Sequence, residues 1–378
     1  SFGANGKVTT DLAAGNSQGF SVAIQTDGRI VEAGTSYNGT DIDFALVRYN
    51  TDGTLDNSFG TGGTTSTDFG TGDDLGHSVA IQADGKIILG GDTYNGNNFD
   101  FALARYNTDG TLDNSFGAGG KVATDFGTGD DIGHSVAIQP DGKIVLVGEA
   151  YNGTDPDFAL ARYNTDGTLD NSFGTGGKTT TVFGPYRDSG NSVALQADGK
   201  IVVVGQSLNG TDFDFALARY NSDGTLDTGF SGDGKTTTAF GTFQDICNTV
   251  AIEADGKIVV AGDSFFPNTS YDFTIARYNT DGTLDNGFGV DGKVTTDFQG
   301  VDVGASVAFQ PQGKIVVAGS VLGFTGKGFT GDGFAVARYI SDLNVGIVDL
   351  SVANNAPLIH PNPIHGHATL VYTLQDTE

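Results

Sequence analysis

Apolar residues recur along this chain in short, regular bursts. In Ser135–Gln139, Val136 and Ile138 alternate with smaller or polar neighbours, the period-two pattern of a half-buried strand. Pro140-Asp141-Gly142 follows as a tight hairpin turn, where glycine can take positive φ at no steric cost. Lys143–Gly148 (KIVLVG) is then an unbroken apolar run, which predicts a strand covered on both faces. Asn152-Gly153 opens a second turn, and Phe158–Tyr163 (FALARY) predicts a third strand. A polar loop, seen upstream as Asn107–Gly120, leads to a fourth strand at Lys121–Phe126 (KVATDF), whose polar face suits a solvent edge.

The pattern returns at constant spacing. SVAIQ or a near copy begins at Ser21, Ser78, Ser135, Ser192, Thr249 and Ser306, always 57 residues apart. The Arg-Tyr pair recurs at Arg48, Arg105, Arg162, Arg219, Arg277 and Arg338, with steps of 57, 57, 57, 58 and 61. The extra residues fall in one loop, as insertions between repeated units do. A length of 378 residues alone suggests two or three domains, but six copies make one array. Four antiparallel strands repeated six times predict an all-β fold, a six-bladed β-propeller of four-stranded antiparallel blades. Gly6–Leu12 reads as a fourth strand without its first three, and the sixth copy has three strands before leaving the pattern. The opening strand is therefore expected to complete the last blade and close the ring; an open β-solenoid is the rival. The propeller is expected over residues 1–340, a linker over 341–357 and a short C-terminal strand segment over 358–378.

The pattern SVAIQxDGKIVVVG…DFALARYNxDGTLDxSFG…GKV resembles the delta-60 repeat family of bacterial surface and secreted proteins, from residue 1 to about residue 340. That resemblance implies export and says little about activity. In the tail, LIHPNPIHGHATLVYTL places a Pro361-Asn362-Pro363 turn before an alternating strand. It resembles the start of the type A sorting domain of type IX secretion cargo, here cut off after about one strand. The resemblance implies the type IX outer-membrane machinery as a partner. It also implies an extracellular or cell-surface location in a Gram-negative, Bacteroidota-type cell. The alternative is a last strand packing on the propeller.

Composition agrees with a turn-rich β protein. Of the residues 59 are glycine, which costs roughly 1 kcal/mol in a helix interior and here lacks collagen spacing. The acids are nearly all aspartate, a turn former; only Glu32, Glu149, Glu253 and Glu378 are glutamate. A net charge of −27, with lysine and arginine spread over repeat positions, excludes nucleic acid as a partner and suits a soluble, monomeric, exported protein. Cys247 has no disulfide partner, and no apolar run is long enough for a membrane helix. The Arg-Tyr arginine shares a strand face with apolar residues and so needs a carboxylate. The favoured partner is the aspartate leading the same strand (Asp43, Asp100, Asp157, Asp214, Asp272); an anion site is the alternative.

Candidate chemistry gathers before each first strand. Four residues ahead of SVAIQ stand Ser17, Asp74, Asp131, Asp188, Asp245 and Asp302; one residue ahead stand Phe20, His77, His134, Asn191, Asn248 and Ala305. In a closed propeller five aspartates would ring one channel mouth, where Ca2+ could relieve their repulsion. Each could instead cap a turn through backbone N–H groups. His77 and His134, with Asp74 and Asp131, could hold a transition metal. NTDGTLD matches part of a calcium loop at Asn50, Asp52, Gly53 and Asp56, but Arg48 and Phe59 stand where the first and last ligands belong, so it reads as a turn. No catalytic residue is assigned. The function expected is a binding or structural module for glycans, surface proteins or divalent cations. The alternative is a metal-dependent propeller hydrolase or lactonase with its site at the channel mouth.

Overall fold

The computed structural model describes residues 2–12, 15–311, 313–322 and 333–340, and the backbone of 349–354. The described strands form six four-stranded sheets, each antiparallel and each following chain order. The third sheet shows the plan: Asp131–Ile138, Ile144–Tyr151, Pro156–Tyr163 and Lys178–Thr181. Its first hairpin closes as the sequence predicts. Gly142 has φ 85°, its N–H donates to the Gln139 carbonyl, and the Asp141 carboxylate accepts from the Lys143 amide.

Sheets stack face to face, and this explains the unbroken apolar runs. In Ile144-Val145-Leu146-Val147, Val145 and Val147 pack with Val193, Val203 and Tyr220 of the fourth sheet. Ile144 and Leu146 point the other way, into a cluster shared with Phe101 and Leu103 of the second. Five such clusters fill the five junctions between consecutive sheets. Tyrosine hydroxyls cross each junction: Tyr163 bonds Thr124 at 2.9 Å, and Tyr106, Tyr220, Tyr278 and Tyr339 repeat the contact.

The arginine partner differs from the expected one. Arg162 binds Asp170, eight residues later, through Nε at 2.8 Å and Nη2 at 2.7 Å, not the strand-leading Asp157. Arg48–Asp56, Arg105–Asp113, Arg219–Asp227 and Arg277–Asp285 repeat the pairing. The loop after the third strand folds back over it, laying Phe173 under the guanidinium at 4.6 Å and bringing Asp170 alongside. Asp157 is instead held by Asn152 in the preceding turn. Arg162 also donates to the Ser222 carbonyl of the next sheet, so the pairing ties neighbouring blades together.

The chain ends depart from expectation too. Residues 6–12 form no strand. They lie against the first sheet as residues 63–69 lie against the second: Gly3 N–H donates to Asp52 O, and Tyr49 bonds Thr10 at 2.8 Å. The fourth place in the last sheet is taken by Asp349–Asn354, paired with Gly333–Ile340 and drawn from the stretch read as a linker. A segment a few residues downstream reaches that edge at a lower loop-closure entropy than one from the far end of the chain. Among the described residues, extensive packing joins only consecutive sheets. Val316, Ala318, Phe334 and Val336 on the outer face of the last sheet are only partly buried, where the matching Val259, Ala261, Phe273 and Ile275 are buried.

Candidate functional site

Each first strand begins four residues earlier than the apolar alternation indicates, or five in the last sheet, and each carries a β-bulge. In the third sheet Val147 faces Ser135 and Gly148 faces Gly133, leaving His134 unpaired. Phe20, His77, Asn191, Asn248 and Ala305 occupy the same bulge in the other sheets. Gly148 is required here, because a Cβ on it would collide with the Ile132 carbonyl oxygen. Bulges re-aim a side chain and are frequent beside functional sites.

The six bulge residues are half-buried and form a row across the sheets. Ring centroids of Phe20 and His77 lie 5.6 Å apart, and those of His77 and His134 5.9 Å. The row continues where Asn191 donates to Cys247 O at 2.9 Å and Asn248 to Gly304 O at 3.0 Å. Behind it stands a second polar row, one residue past the bulge glycine on each second strand. His77 Nε2 is 3.1 Å from Asp92, Asn191 bonds Gln206 at 3.2 Å, and Asn248 bonds Asp263 at 2.9 Å. Arg187 forks onto the buried Glu149 at 2.7 and 3.3 Å. This second row is not apparent from the apolar alternation alone. Its signal was a varying polar residue (Thr35, Asp92, Glu149, Gln206, Asp263, Ser320) inside otherwise apolar strands.

Burial sets the charges. Desolvation, with the nearby His77 and Arg187 charges, pushes His134 down to about 3, so its imidazole is neutral at pH 7. Desolvation raises Asp92, against the opposing pull of its bond to His77. It raises Asp263 to about 7. The row presents aromatic and imidazole faces beside the amides of Asn191 and Asn248 and buried carboxyls, of which Glu149 is paired with Arg187.

The five aspartates lie elsewhere. Asp74, Asp131, Asp188, Asp245 and Asp302 are fully buried at the start of their strands. Each accepts a backbone N–H from a phenylalanine of the preceding connection: Phe69, Phe126, Phe183, Phe240 or Phe298, at 2.6–2.8 Å. Desolvation raises the first four to about 6 and Asp302 to about 7. The acids that push them further belong to the same junction, such as Asp68 and Asp43 for Asp74. The expected ring of carboxylates across one mouth is thus replaced by separate acidic junctions. Among the described residues, no group of three close metal-ligating side chains includes His77 or His134. Pro361, Asn362 and Pro363 lie outside the described residues. A shallow groove of about 790 Å³ beside Thr236–Thr238 and Tyr278 contains none of these groups.

Face-packed, four-stranded antiparallel blades repeated along the chain define a β-propeller fold. Comparison with known proteins agrees. Residues 25–59, 82–116, 139–173, 196–230 and 253–288 each match the family model described as "Domain of unknown function (DUF5122) beta-propeller". These five repeats support a β-propeller family. No curated protein matches the sequence. Among solved structures, a protein of unknown function from Bacteroides caccae is 13% identical, with a TM-score of 0.43 over 76% of this chain and 81% of that one. One from Dyadobacter fermentans is 12% identical, with a TM-score of 0.44 over 85% and 94%. A gluconolactonase from Xanthomonas campestris is 12% identical, with a TM-score of 0.39 over 82% and 96%.

Proposed function

We propose that this chain is an exported β-propeller that acts as a binding and structural module and reads its ligand with the bulge row. The observation that carries this is where the repeat varies. Residues that build the junctions recur from copy to copy, whereas the bulge position runs Phe20, His77, His134, Asn191, Asn248, Ala305, with an equally varied polar row behind it. Stacking faces beside amide, imidazole and carboxyl hydrogen-bonding groups suit sugar hydroxyls and ring faces, so a neutral glycan is the ligand class favoured, carried free or on a surface protein.

The same reading closes the six blades into a ring. The outer face of the last sheet and the face of the first that bears Val22, Ile30 and Glu32 match the two sides of every internal junction. Likeness to delta-60 repeats, with the Pro361-Asn362-Pro363 tail, supports export by type IX machinery to the surface of a Bacteroidota-type cell. A metal-dependent hydrolase or lactonase is the second reading. The varied histidines and Asp92 favour it, although among the described residues no group of three close metal-ligating side chains includes either histidine.

The test is binding of the full chain to arrayed neutral glycans and surface glycoproteins, beside a His77→Ala/His134→Ala/Asn191→Ala variant. Binding weakened about tenfold or more, roughly 1.4 kcal/mol, is expected. No binding by the parent, or equal binding by the variant, refutes the reading.

A further inference from the structure

We propose that three of the five junctions each bind a divalent cation of the calcium class, one between Asp43, Asp68 and Asp74, one between Asp100, Asp125 and Asp131, and one between Asp272, Asp297 and Asp302. The sites are independent of the bulge row and of any ligand it reads.

Each trio draws on three parts of the fold. The first acid lies near the start of a third strand, the second just after the fourth strand of that sheet, and the third opens the next sheet. An ion there would fasten two sheets together. In each trio one ligand atom from every aspartate lies within 4.8 Å of the others. The centre of an equilateral triangle with that greatest side is about 2.8 Å from its corners, so each trio is close enough for its oxygens to share one cation at calcium–oxygen distances of 2.3–2.6 Å.

A second observation points to a missing ligand. Asp43, Asp100 and Asp272 are 4%, 6% and 3% exposed, and in each the buried Oδ1 has no hydrogen-bond partner. The other oxygen is held in place, by Asn38 at 3.0 Å, Asn95 at 2.8 Å and Thr269 at 2.7 Å respectively. At the last junction the fully buried Asp302 adds another unpartnered Oδ1. A carboxylate oxygen shut away from water without a donor is costly, and native proteins rarely leave one so unless an ion or water satisfies it.

The other two junctions serve as internal controls. Asp157 with Asp188, and Asp214 with Asp245, keep two acids, but the exposed third place holds Val182 or Ala239. Unpartnered oxygens persist there on Asp157, Asp188 and Asp245, so the third acid separates a site from a half-site. Lysines do not fill the role. Lys121, Lys178, Lys235 and Lys293 bond the backbone carbonyl of the third residue whether it is Asp68, Asp125, Val182 or Ala239. At the last junction the register puts Leu350 where that lysine would stand.

The experiment is calcium binding to the chelator-treated full chain, by equilibrium dialysis and by calcium-dependent melting. Three ions per chain are expected, with dissociation constants of about 10⁻⁴–10⁻³ M, the range of extracellular modules. The Asp68→Asn/Asp125→Asn/Asp297→Asn variant should lose both the bound calcium and the calcium-dependent rise in melting temperature. Its changes are at exposed positions, and asparagine can still accept the amide bonds from Gly70, Gly127 and Gln299. A Val182→Asp/Ala239→Asp variant should bind additional calcium. No bound calcium at millimolar concentration, or binding unchanged in the triple asparagine variant, overturns the proposal.

Discussion

The Arg162–Asp170 pair allows a sharp test of what holds the array together. Both side chains are nearly buried, at 5% and 8% exposure. Burial works to raise the Asp170 carboxyl. It is overcome by the Ser172 hydroxyl, Lys143, the Ser172 amide and the Arg162 charge, which hold the group well below the usual carboxylate range. Two unit charges about 4 Å apart attract by about 4 kcal/mol at an effective dielectric of 20. Removing one partner of such a pair typically costs 3–5 kcal/mol, because the other is left buried and uncompensated, whereas replacing both with apolar groups is often near neutral. Arg162→Met and Asp170→Leu are therefore each expected to lower unfolding stability by roughly 3–4 kcal/mol in guanidinium titrations. The double variant should lose well under the sum, with a coupling of at least about 2 kcal/mol. The singles are not fully equivalent. Without Arg162, Asp170 keeps Lys143 at 3.0 Å, while without Asp170 the guanidinium keeps only carbonyl and hydroxyl acceptors and the Phe173 face. The aspartate substitution should be the worse of the two. Additive losses, within about 0.5 kcal/mol, would show that the pair is not energetically coupled and would refute this account of the repeated arginine.

Two further outcomes follow from the bulge row. Gly148→Ala should destabilise by about 2 kcal/mol or more, because its Cβ meets the Ile132 carbonyl, whereas Gly184→Ala, with nothing within 4 Å and no positive φ, should stay within about 0.5 kcal/mol; equal effects in thermal melting would exclude a steric origin. The raised carboxyl of Asp263 makes the folded state hold more protons than the unfolded state between about pH 4 and its folded value near 7. Its contribution to stability therefore falls as pH rises through that window, opposite in sign to the lowered His134. Asp263→Asn should raise stability at pH 7 relative to pH 4 when compared with the parent, and parallel stability–pH curves for the two proteins would refute the assignment.

Repetition made the blades legible. Fixed spacing, alternation and the Asp-Gly turns locate strands two and three to within three residues, as Lys143–Gly148 and Phe158–Tyr163 show against Ile144–Tyr151 and Pro156–Tyr163. First strands were read short because the extra residue at His134 breaks the alternation just where the strand continues. The arginine partner was not decidable from sequence. Both Asp157 and Asp170 recur in register with Arg162, and only the loop folding back over Phe173 selects the second. The strand-leading aspartates were visible, but not their surroundings. Asp43 and Asp68 come to Asp74 from separate strand ends, a convergence no local spacing announces.

Variation between copies separates the residues of the junctions from the positions proposed for recognition. Tyr163, Arg162, Asp170 and Gly148 serve an interface that is nearly the same at each junction, so changing one copy would spoil one junction and gain nothing. Two sets of positions escape that constraint. One is the bulge residue with its polar neighbour on the second strand, where side chains range from phenylalanine to histidine to asparagine without disturbing the bulge. The other is the exposed third place of each junction, aspartate at 68, 125 and 297 but Val182 and Ala239 between them. They lie on different elements: the strands that bear His77, His134 and Ala305 open with the last acid of a complete trio, whereas those that bear Asn191 and Asn248 open with an acid of an incomplete one. The first set carries the proposed ligand row and the second the proposed cation sites, so the two proposals stand on different elements of each repeat.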